Sequence, residues 1–259
     1  MQNIETLRNS DTLFHYTNLY TGLEKILPSM QLRFSKLIDT NDPYEYKALS
    51  FPFHQWIGAN DNLLENGMKV DNKLNSHIKE RTKILCFCRN SRSQYYGYEK
   101  SRMWSQYGSN HRGLCIAISK NNIRKELKKQ LKSETYFFEP VIYKKIIASE
   151  NEARFVDNSI LKEGSGIIDH IKNYYKQIYF TKNIDYKDEN EYRLVVLEKD
   201  NIIDSLSIKN SLKAIILGDA FPEVYYPILQ GICKEYSVGL YINHYESGER
   251  ILLEVLNST

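Results

Sequence analysis

The sequence predicts an α+β fold, in which a single domain over residues 1–259 contains a bent mixed or antiparallel central sheet flanked by helices. Short apolar segments with the composition of β-strands occur along the whole chain of 259 residues. Helical segments stand between them at irregular intervals, whereas a doubly wound parallel sheet requires a regular alternation. No internal repeat, low-complexity tract or Pro/Gly/Ser-rich linker divides the sequence.

Local patterns predict the elements of the first half of the chain. Leu19, Leu23 and Ile26 follow helical spacing, and Thr17 or Asn18 is suited to cap that helix. The predicted order is a strand over 13–16, a helix over 19–27, a strand over 32–35, a turn over 39–43, a loosely helical segment over 44–68, and buried strands over 84–88 and 113–118.

The second half of the chain predicts more strands than helices. Its predicted elements are a basic helix over 123–131, a strand over 140–143, a long amphipathic helix over 160–180, strands over 192–197, 212–217 and 238–243, a helix over 223–236, and a hairpin strand within 245–255 that turns at Ser247-Gly248.

The composition excludes several classes of protein. Hydrophobic residues make up 42% and charged residues 26% of the chain, as in ordinary soluble globular proteins. A net charge of +3 is too small to indicate a nucleic-acid partner. The four cysteines contain no C-x-x-C pair and predict free thiols rather than a zinc site or a disulfide framework. A polar N-terminus and the lack of a long apolar run predict a cytoplasmic protein without a membrane partner.

The most informative segment is a pair of carboxylates, Glu189 and Glu191, that leads into the apolar strand predicted over 192–197. Residues i and i+2 of a strand share a face, so we expect both side chains to point the same way. Two adjacent negative charges cost free energy unless Arg193, another cation, a ligand or a proton offsets them. The pattern therefore indicates a binding or catalytic site, and the alternative is a pair of charges that protects an exposed strand edge.

Two polar segments in the first half are further candidates. His15, Tyr16 and Thr17 end the first predicted strand, where His15 is either a hydrogen-bonding group at the rim of a cleft or a half-buried strand histidine. The segment Asn41-Asp42-Pro43, with Glu45, predicts either an acidic loop for a metal or a ribose, or a capped turn.

An aromatic segment precedes the strand predicted over 113–118. Trp104, Tyr107, His111 and Arg112 form either a stacking platform with a basic anchor, suited to a nucleotide ring and its phosphate, or an aromatic helix packed on the sheet. The sequence contains no G-x-S-x-G, Walker A, G-x-G-x-x-G or H-E-x-x-H motif. ATP hydrolysis, Rossmann dinucleotide chemistry and zinc proteolysis are therefore not predicted.

These motifs occur in an order that resembles the bacterial family called domain of unknown function 2971, over roughly residues 13–200. The resemblance rests on the following blocks: Phe14-His15-Tyr16-Thr17, Phe34-Ser35, Asn41-Asp42-Pro43-Tyr44-Glu45, Cys86-Phe87-Cys88, Met103-Trp104-Ser105-Gln106-Tyr107-Gly108, His111-Arg112-Gly113 and Glu189-Asn190-Glu191-Tyr192-Arg193. Thr40, Cys88 and Asp188 depart from the residues usual in that family.

The layout is more distantly similar to that of ADP-ribosyltransferases, which implies that NAD is the substrate. By this resemblance His15 holds the adenosine-side ribose, and Glu191 holds the nicotinamide ribose and stabilises an oxocarbenium-like transition state. Glu189 then orients or deprotonates the acceptor. Tyr16 and one of Trp104 or Tyr107 stack on nicotinamide. The remaining residues predicted to bind the nucleotide are Thr17, Ser35, Asn41, Asp42, His111, Arg112 and Arg193.

Three hypotheses for the function follow. The first is an NAD-consuming ADP-ribosyltransferase or glycohydrolase without a metal, acting as a toxin or phage-defence effector. The second is a nuclease or nucleotide-processing enzyme with a divalent metal bound by Asp42, Glu45, Glu189 and Glu191. The third is a non-catalytic module that binds a nucleotide or a protein. The first requires His15 and Glu191 to face one cleft, whereas the second requires three or more clustered carboxylates.

Overall fold

The computed structural model describes residues 4–40, 61–91, 95–131, 135–145, 166–197 and 203–255, with the backbone alone at 61–68, 70 and 71. The strands, in chain order, are β1 (Thr12–Thr17), β2 (Gln31–Arg33), β3 (Ser35–Lys36), β4 (Thr82–Arg89), β5 (Leu114–Ser119), β6 (Thr135–Pro140), β7 (Ile142–Lys144), β8 (Thr181–Asn183), β9 (Glu191–Leu197), β10 (Ser205–Ser207), β11 (Leu212–Gly218), β12 (Gly239–Glu246) and β13 (Glu249–Glu254).

Helices of several types connect these strands. The α-helices are α1 (Leu27–Ser29), α2 (Asp61–Glu80), α3 (Ser101–Gln106), α4 (Lys120–Gln130), α5 (Gly166–Tyr179) and α6 (Tyr226–Tyr236). A π-helical stretch, Thr21–Ile26, precedes α1, and 3-10 turns cover Ile4–Thr6, Leu37–Asp39, Ile184–Glu189 and Glu223–Tyr225. In the described part of the chain, no helix is both long and apolar enough to cross a membrane.

Nine of the described strands form one mixed sheet, which confirms the predicted fold class. Eight of them follow the order β13-β12-β11-β5-β1-β4-β9-β6, and β3 pairs with β4 beside that path. All neighbours are antiparallel except β11 and β12, which are parallel and are joined by a crossover through α6. The pairs β2–β10 and β7–β8 form two small additional sheets.

The two faces of the sheet differ in their cores. One face carries a continuous cluster that includes Leu85, Phe87 and Ile116. The other face carries two separate clusters, one around Ile84 with α2 and α5, and one around Phe14, Cys88 and Trp104. Because side chains alternate along a strand, Cys86 on β4 and Arg193 on β9 fall on this second face, between its two clusters. The sheet therefore leaves room for a polar site there.

The ladder between β1 and β4 is short. Only Leu13 with Arg89 and Phe14 with Cys88 are paired, whereas β1 and β5 pair along six residues. Further along β4, its free edge is taken up by β3, where Ser35 pairs with Ile84. The strands β1 and β4 thus separate beyond Phe14, and an opening forms in the sheet between β1 and β3.

Most of the predicted strands lie within one or two residues of their observed bounds, and the hairpin at Ser247-Gly248 is confirmed. The segment predicted as loosely helical over 44–68 is helical over residues 61–68, where α2 begins. Its first part lies outside the described residues, and α2 continues to Glu80 because Leu74 and Ile78 bury a second apolar stripe against the sheet. The strand predicted over 140–143 divides at Val141 into the end of β6 and the start of β7.

Candidate active site

A cavity of about 250 Å³ lies where β1 and β4 separate. Consecutive residues of β4, from Ile84 to Cys88, border it, as expected for a cavity that reaches through the edge of a strand rather than resting on one face. Seven of the residues predicted for the site border this cavity, namely His15, Tyr16, Ser35, Tyr107, Glu189, Glu191 and Arg193.

Four buried charged side chains form the floor of the cavity. Glu189, Glu191, Lys182 and Arg193 are each between 2% and 5% exposed. Arg193 donates from Nε to Oε1 of Glu191 at 2.7 Å and from Nη2 to Oε2 at 2.9 Å. Its Nη1 donates to the carbonyl oxygen of Tyr179 at 2.8 Å. Two acids and two bases are thus buried together, so that the cluster is close to neutral when all four are ionised.

Lys182 bridges the two carboxylates. Its Nζ lies 2.8 Å from Oε2 of Glu189 and 3.6 Å from Oε2 of Glu191. It also lies 4.5 Å from the centre of the Tyr186 ring. The second oxygen of Glu189, Oε1, is buried and has no hydrogen-bond partner among the described residues. A buried acceptor without a partner is costly, and here it lies on a residue that borders a cavity, where a ligand or water can satisfy it.

The backbone brings the two carboxylates together differently from the prediction. Glu191 begins β9, but Glu189 is the last residue of the 3-10 turn Ile184–Glu189, and Asn190 between them has a left-handed conformation with φ of 45°. The expectation that both carboxylates share one strand face was therefore wrong in its local structure. The alternative of an exposed strand edge is also wrong, because both residues are buried.

The surroundings drive the pKa values of the two carboxyls in opposite directions. Burial raises the pKa of Glu189, and Lys182, which donates a hydrogen bond to it, offsets only part of that effect. Burial also acts on Glu191, but Arg193 and Lys182 together outweigh it and lower the pKa of Glu191 to about 2. Glu191 is therefore held as an anion, while Glu189 takes up a proton more readily than an ordinary glutamate.

His15 reaches the cavity from the opposite face of the sheet. It pairs with Ile116 on β5, and its ring contacts Phe87 edge-on at 6.0 Å, whereas Glu191 lies on the face that carries Cys88. A ligand that contacts both His15 and Glu191 must therefore pass through the opening between β1 and β4. The two residues border one cavity, but they lie on opposite faces of the sheet, which is not the arrangement predicted for a shared NAD site.

The protonation of His15 follows from its hydrogen bond. Nδ1 lies 3.1 Å from the carbonyl oxygen of Cys86, which only accepts, so Nδ1 carries the proton and donates. Burial lowers the pKa of His15, so the ring is neutral at pH 7 and Nε2 keeps a lone pair.

Helix α3 divides the aromatic segment into two sets. Met103, Gln106 and Tyr107 border the cavity. Trp104 is fully buried, its Nε1 donates to the carbonyl oxygen of Tyr98 at 2.7 Å, and its ring meets that of Tyr16 edge-on at 4.9 Å. The prediction that Trp104 faces the ligand together with Tyr107 is therefore corrected, because Trp104 packs in the core.

Several other predicted residues do not border this cavity. His111 stacks on Trp104 at 6.1 Å in a turn with left-handed backbone, Arg112 is exposed, and Thr17 is buried opposite Leu114. None of the three borders this cavity, and their contacts with a nucleotide stay predictions. Asn41 and Asp42 lie outside the described residues.

Sequence reasoning missed three groups that shape the site. Lys182 precedes Glu189 by seven residues and matches no motif. The hydroxyl of Tyr143 accepts a hydrogen bond from the backbone N–H of Glu191 at 2.8 Å. Arg33 borders the cavity at the end of β2. The alternation of Arg33 and Ser35 around Phe34 was the one feature of the sequence that could have indicated Arg33, because it places Arg33 and Ser35 on the same face.

No metal site is evident among the residues whose side chains are described, where no group of three or more His, Cys, Asp or Glu side chains is arranged to hold an ion. Lys182 and Arg193 already supply two positive charges to Glu189 and Glu191. Adding a divalent cation to the same carboxylates would bring three centres of positive charge together. Asp42 and Glu45, the other predicted ligands, lie outside the described residues.

Comparisons with known proteins confirm the family resemblance. Residues 103–194 match the family described as "Protein of unknown function (DUF2971)". The matched region contains residues 103–106 of α3, Lys182 and the segment from Glu189 to Arg193, but neither the first strand nor the Asn-Asp-Pro segment, which were also predicted to belong to it. No curated protein and no solved structure showed significant similarity to the chain.

Proposed function

We propose that this chain, whose residues 103–194 belong to the DUF2971 family, is an enzyme that cleaves the bond between nicotinamide and ribose in NAD. The reaction is completed by transfer of ADP-ribose to an acceptor or to water. The single observation that carries the proposal is that two carboxyls border one cavity with their pKa values shifted in opposite directions. Such a separation is typical of paired acids that take different roles in one reaction.

Each carboxylate receives a role that suits its protonation. When the glycosidic bond breaks, nicotinamide leaves as a neutral molecule with the bonding electron pair, and positive charge develops at C1′ of the ribose. Glu191, held as an anion, stabilises that charge. Glu189 accepts the proton of the attacking hydroxyl, amine or water, since its raised pKa makes its ionised form a stronger base.

The aromatic and neutral groups of the cavity support a ligand with a ring and a sugar. Tyr107 and Tyr186 border the cavity, and neutral His15 offers an acceptor to a ribose hydroxyl. An elongated molecule that passes through the opening between β1 and β4 can contact His15 at one end and Glu191 at the other. A role as a toxin or phage-defence effector is part of this proposal, because consumption of NAD harms the cell in which it occurs.

Of the two variants that test the proposal, Glu189→Gln better separates a loss of activity from a loss of stability. It keeps the size of the side chain and an oxygen for Lys182 but removes the base. We expect nicotinamide release from NAD to fall by about 10²-fold or more, with little loss of thermal stability. Glu191→Gln should lose activity to a similar extent, but it should also unfold at a lower temperature, because Arg193 remains buried beside a neutral partner.

Glu249→Gln is the matched control, since Glu249 is an exposed glutamate on β13 far along the sheet from the cavity. Nicotinamide release and melting temperature are measured on the same preparations. An unchanged rate in folded Glu189→Gln protein would end the proposed role of Glu189. A wild-type protein that binds NAD without turnover, with Glu189→Gln binding equally, would instead support the non-catalytic binding module.

A further inference from the structure

We infer that Arg33 and Ser35 bind a phosphate group of the ligand at the mouth of the cavity. Neither the family match, which begins at residue 103, nor the proposed chemistry at Glu189 and Glu191 assigns a function to Arg33. The inference rests on the proposed function for the identity of the ligand, and it adds the chemical class that the cavity recognises, namely a phosphate ester or diphosphate that carries a ribose.

The backbone directs Arg33 and Ser35 to the same side. Phe34, between them, is buried in the core of the opposite face, and its N–H donates to the carbonyl oxygen of Asp204 at 2.9 Å. Because side chains alternate, Arg33 and Ser35 fall on the face of the site, and both border the cavity. Lys36, the next residue of β3, pairs with Lys83 on β4. Its side chain therefore points to the other face of the sheet.

Of the described cations that border the cavity, Arg33 is the one that is available to a ligand. On the floor, Arg193 is held by Glu191, and Lys182 is held by Glu189. Arg33 is exposed, and within the described part of the chain its guanidinium makes no ion pair or hydrogen bond. An unpaired guanidinium beside a hydroxyl matches the geometry of a phosphate, which accepts two parallel N–H bonds from arginine and a further bond from serine.

A carboxylate also lies on the rim, within the part of the chain that the structure describes. Asp39, in the 3-10 turn Leu37–Asp39, is exposed and borders the cavity. A carboxylate repels phosphate but accepts hydrogen bonds from the hydroxyls of a ribose. Arg33 with Ser35 on one part of the rim and Asp39 on another therefore favour a ligand in which phosphate and ribose are joined, rather than an inorganic anion or a free nucleoside.

The test uses ADP-ribose, which contains both phosphates and both riboses of NAD but no nicotinamide, so that no turnover accompanies binding. Binding is measured by calorimetry with the whole chain of 259 residues, in parallel with adenosine and inorganic pyrophosphate. We expect Arg33→Gln to raise the Kd for ADP-ribose about tenfold or more and to leave the weak binding of adenosine unchanged. Lys36→Gln, which removes an exposed cation three residues away, should leave both Kd values unchanged, and Arg33→Lys should recover part of the affinity.

Each outcome decides the inference. An equal loss of affinity in Arg33→Gln and Lys36→Gln would show a general effect of charge and overturn the inference. Equal binding of ADP-ribose by Arg33→Gln and wild type would also overturn the inference. A wild-type protein that does not bind ADP-ribose also overturns it, and tight binding of pyrophosphate alone would show an anion site without ribose recognition. Binding of ADP-ribose that depends on Arg33, without any nicotinamide release from NAD, would uphold the phosphate contact and reject the proposed enzymatic function.

Discussion

Glu189 and Glu191 show how neighbouring residues of one type acquire different chemistry. They are two positions apart, both are buried, and both approach Lys182. The difference arises from Arg193, which donates two hydrogen bonds to Glu191 and none to Glu189. Because a guanidinium stabilises an adjacent carboxylate, the pKa of Glu191 falls while that of Glu189 rises. That both residues are glutamates does not indicate that their pKa values differ.

The pH dependence of stability should report the state of His15. Burial lowers the pKa of His15 in the folded protein below its ordinary value of 6.5. As the pH falls through 6.5 the unfolded chain takes up a proton that the folded chain does not, so the folded state loses stability between pH 6.5 and the lower, folded pKa. The contribution of His15 is fully present above pH 6.5.

Denaturant unfolding of wild type and His15→Gln between pH 8 and pH 5 measures this effect. The free energy of unfolding of the wild type should decrease on acidification, and the variant should show a smaller decrease. A residual slope is expected in the variant, because burial also lowers the pKa of His77 and His111. Identical slopes for the two proteins would mean that His15 is accessible to protons in the folded state.

At the scale of elements, α3 and the turn after it form a unit that presents one face to the cavity and one to the core. Three successive non-glycine residues, Ser109 to His111, have left-handed backbone with φ between 50° and 66°. The turn lies close to the sheet on both sides, since a Cβ on Gly113 would meet the carbonyl oxygen of Thr17, and one on Gly218 that of His111, each at 2.2 Å. These close approaches hold Tyr107 at the wall of the cavity.

Two substitutions in α3 and the turn after it should separate an effect on stability from an effect on ligand affinity. Trp104→Ala removes a fully buried ring together with its hydrogen bond to Tyr98, and we expect the free energy of unfolding to fall by about 3–5 kcal/mol with no specific change in ligand affinity per folded molecule. Tyr107→Leu removes the aromatic ring from the cavity wall and should weaken the affinity for NAD with a smaller loss of stability, because Tyr107 is only partly buried. Thermal unfolding and calorimetric titration of both variants make the comparison; reversed effects would place Trp104 at the ligand.

At the scale of the whole molecule, the sheet extends well beyond the matched family region. β11, β12 and β13 follow residue 194, yet β11 pairs with β5 along five residues in the middle of the sheet. Ala214, Ile215, Ile216 and Leu217 are at most 1% exposed. The C-terminal segment therefore supplies part of the central sheet rather than an appendage to it.

A chain that ends at residue 200 should consequently fail to fold. Without β11, the edge of β5 and its fully buried residues Leu114 to Ile118 would be open to solvent and to pairing with other chains. We expect such a chain to aggregate, or to show no cooperative thermal transition by circular dichroism. A monomeric chain of residues 1–200 that unfolds cooperatively and binds the same ligands as the full chain would contradict this.

The sequence by itself determined the strands, most of the helices and the fold class, because runs and alternations of apolar side chains express which face of each element is buried. Seven of the residues predicted for the site border the cavity. The polar end of the first strand and the paired carboxylates indicated some of them, the aromatic segment indicated Tyr107, and the family resemblance indicated Ser35. The predictions of elements depend only on the order of residues along the chain, so they can be made without knowing which remote residues come into contact.

Only the tertiary structure decided how the charges are paired and which rings reach the cavity. Lys182 and Arg193 meet the two carboxylates through the packing of β8, the 3-10 turn Ile184–Glu189 and β9, and Trp104 is separated from Tyr107 by the direction in which α3 lies on the sheet. The opening between β1 and β4 exists because β3, from another part of the chain, takes the place of β1 along the edge of β4. A pKa, a cavity and an available cation depend on distances between residues that are remote in sequence, and those distances arise only when the sheet is assembled.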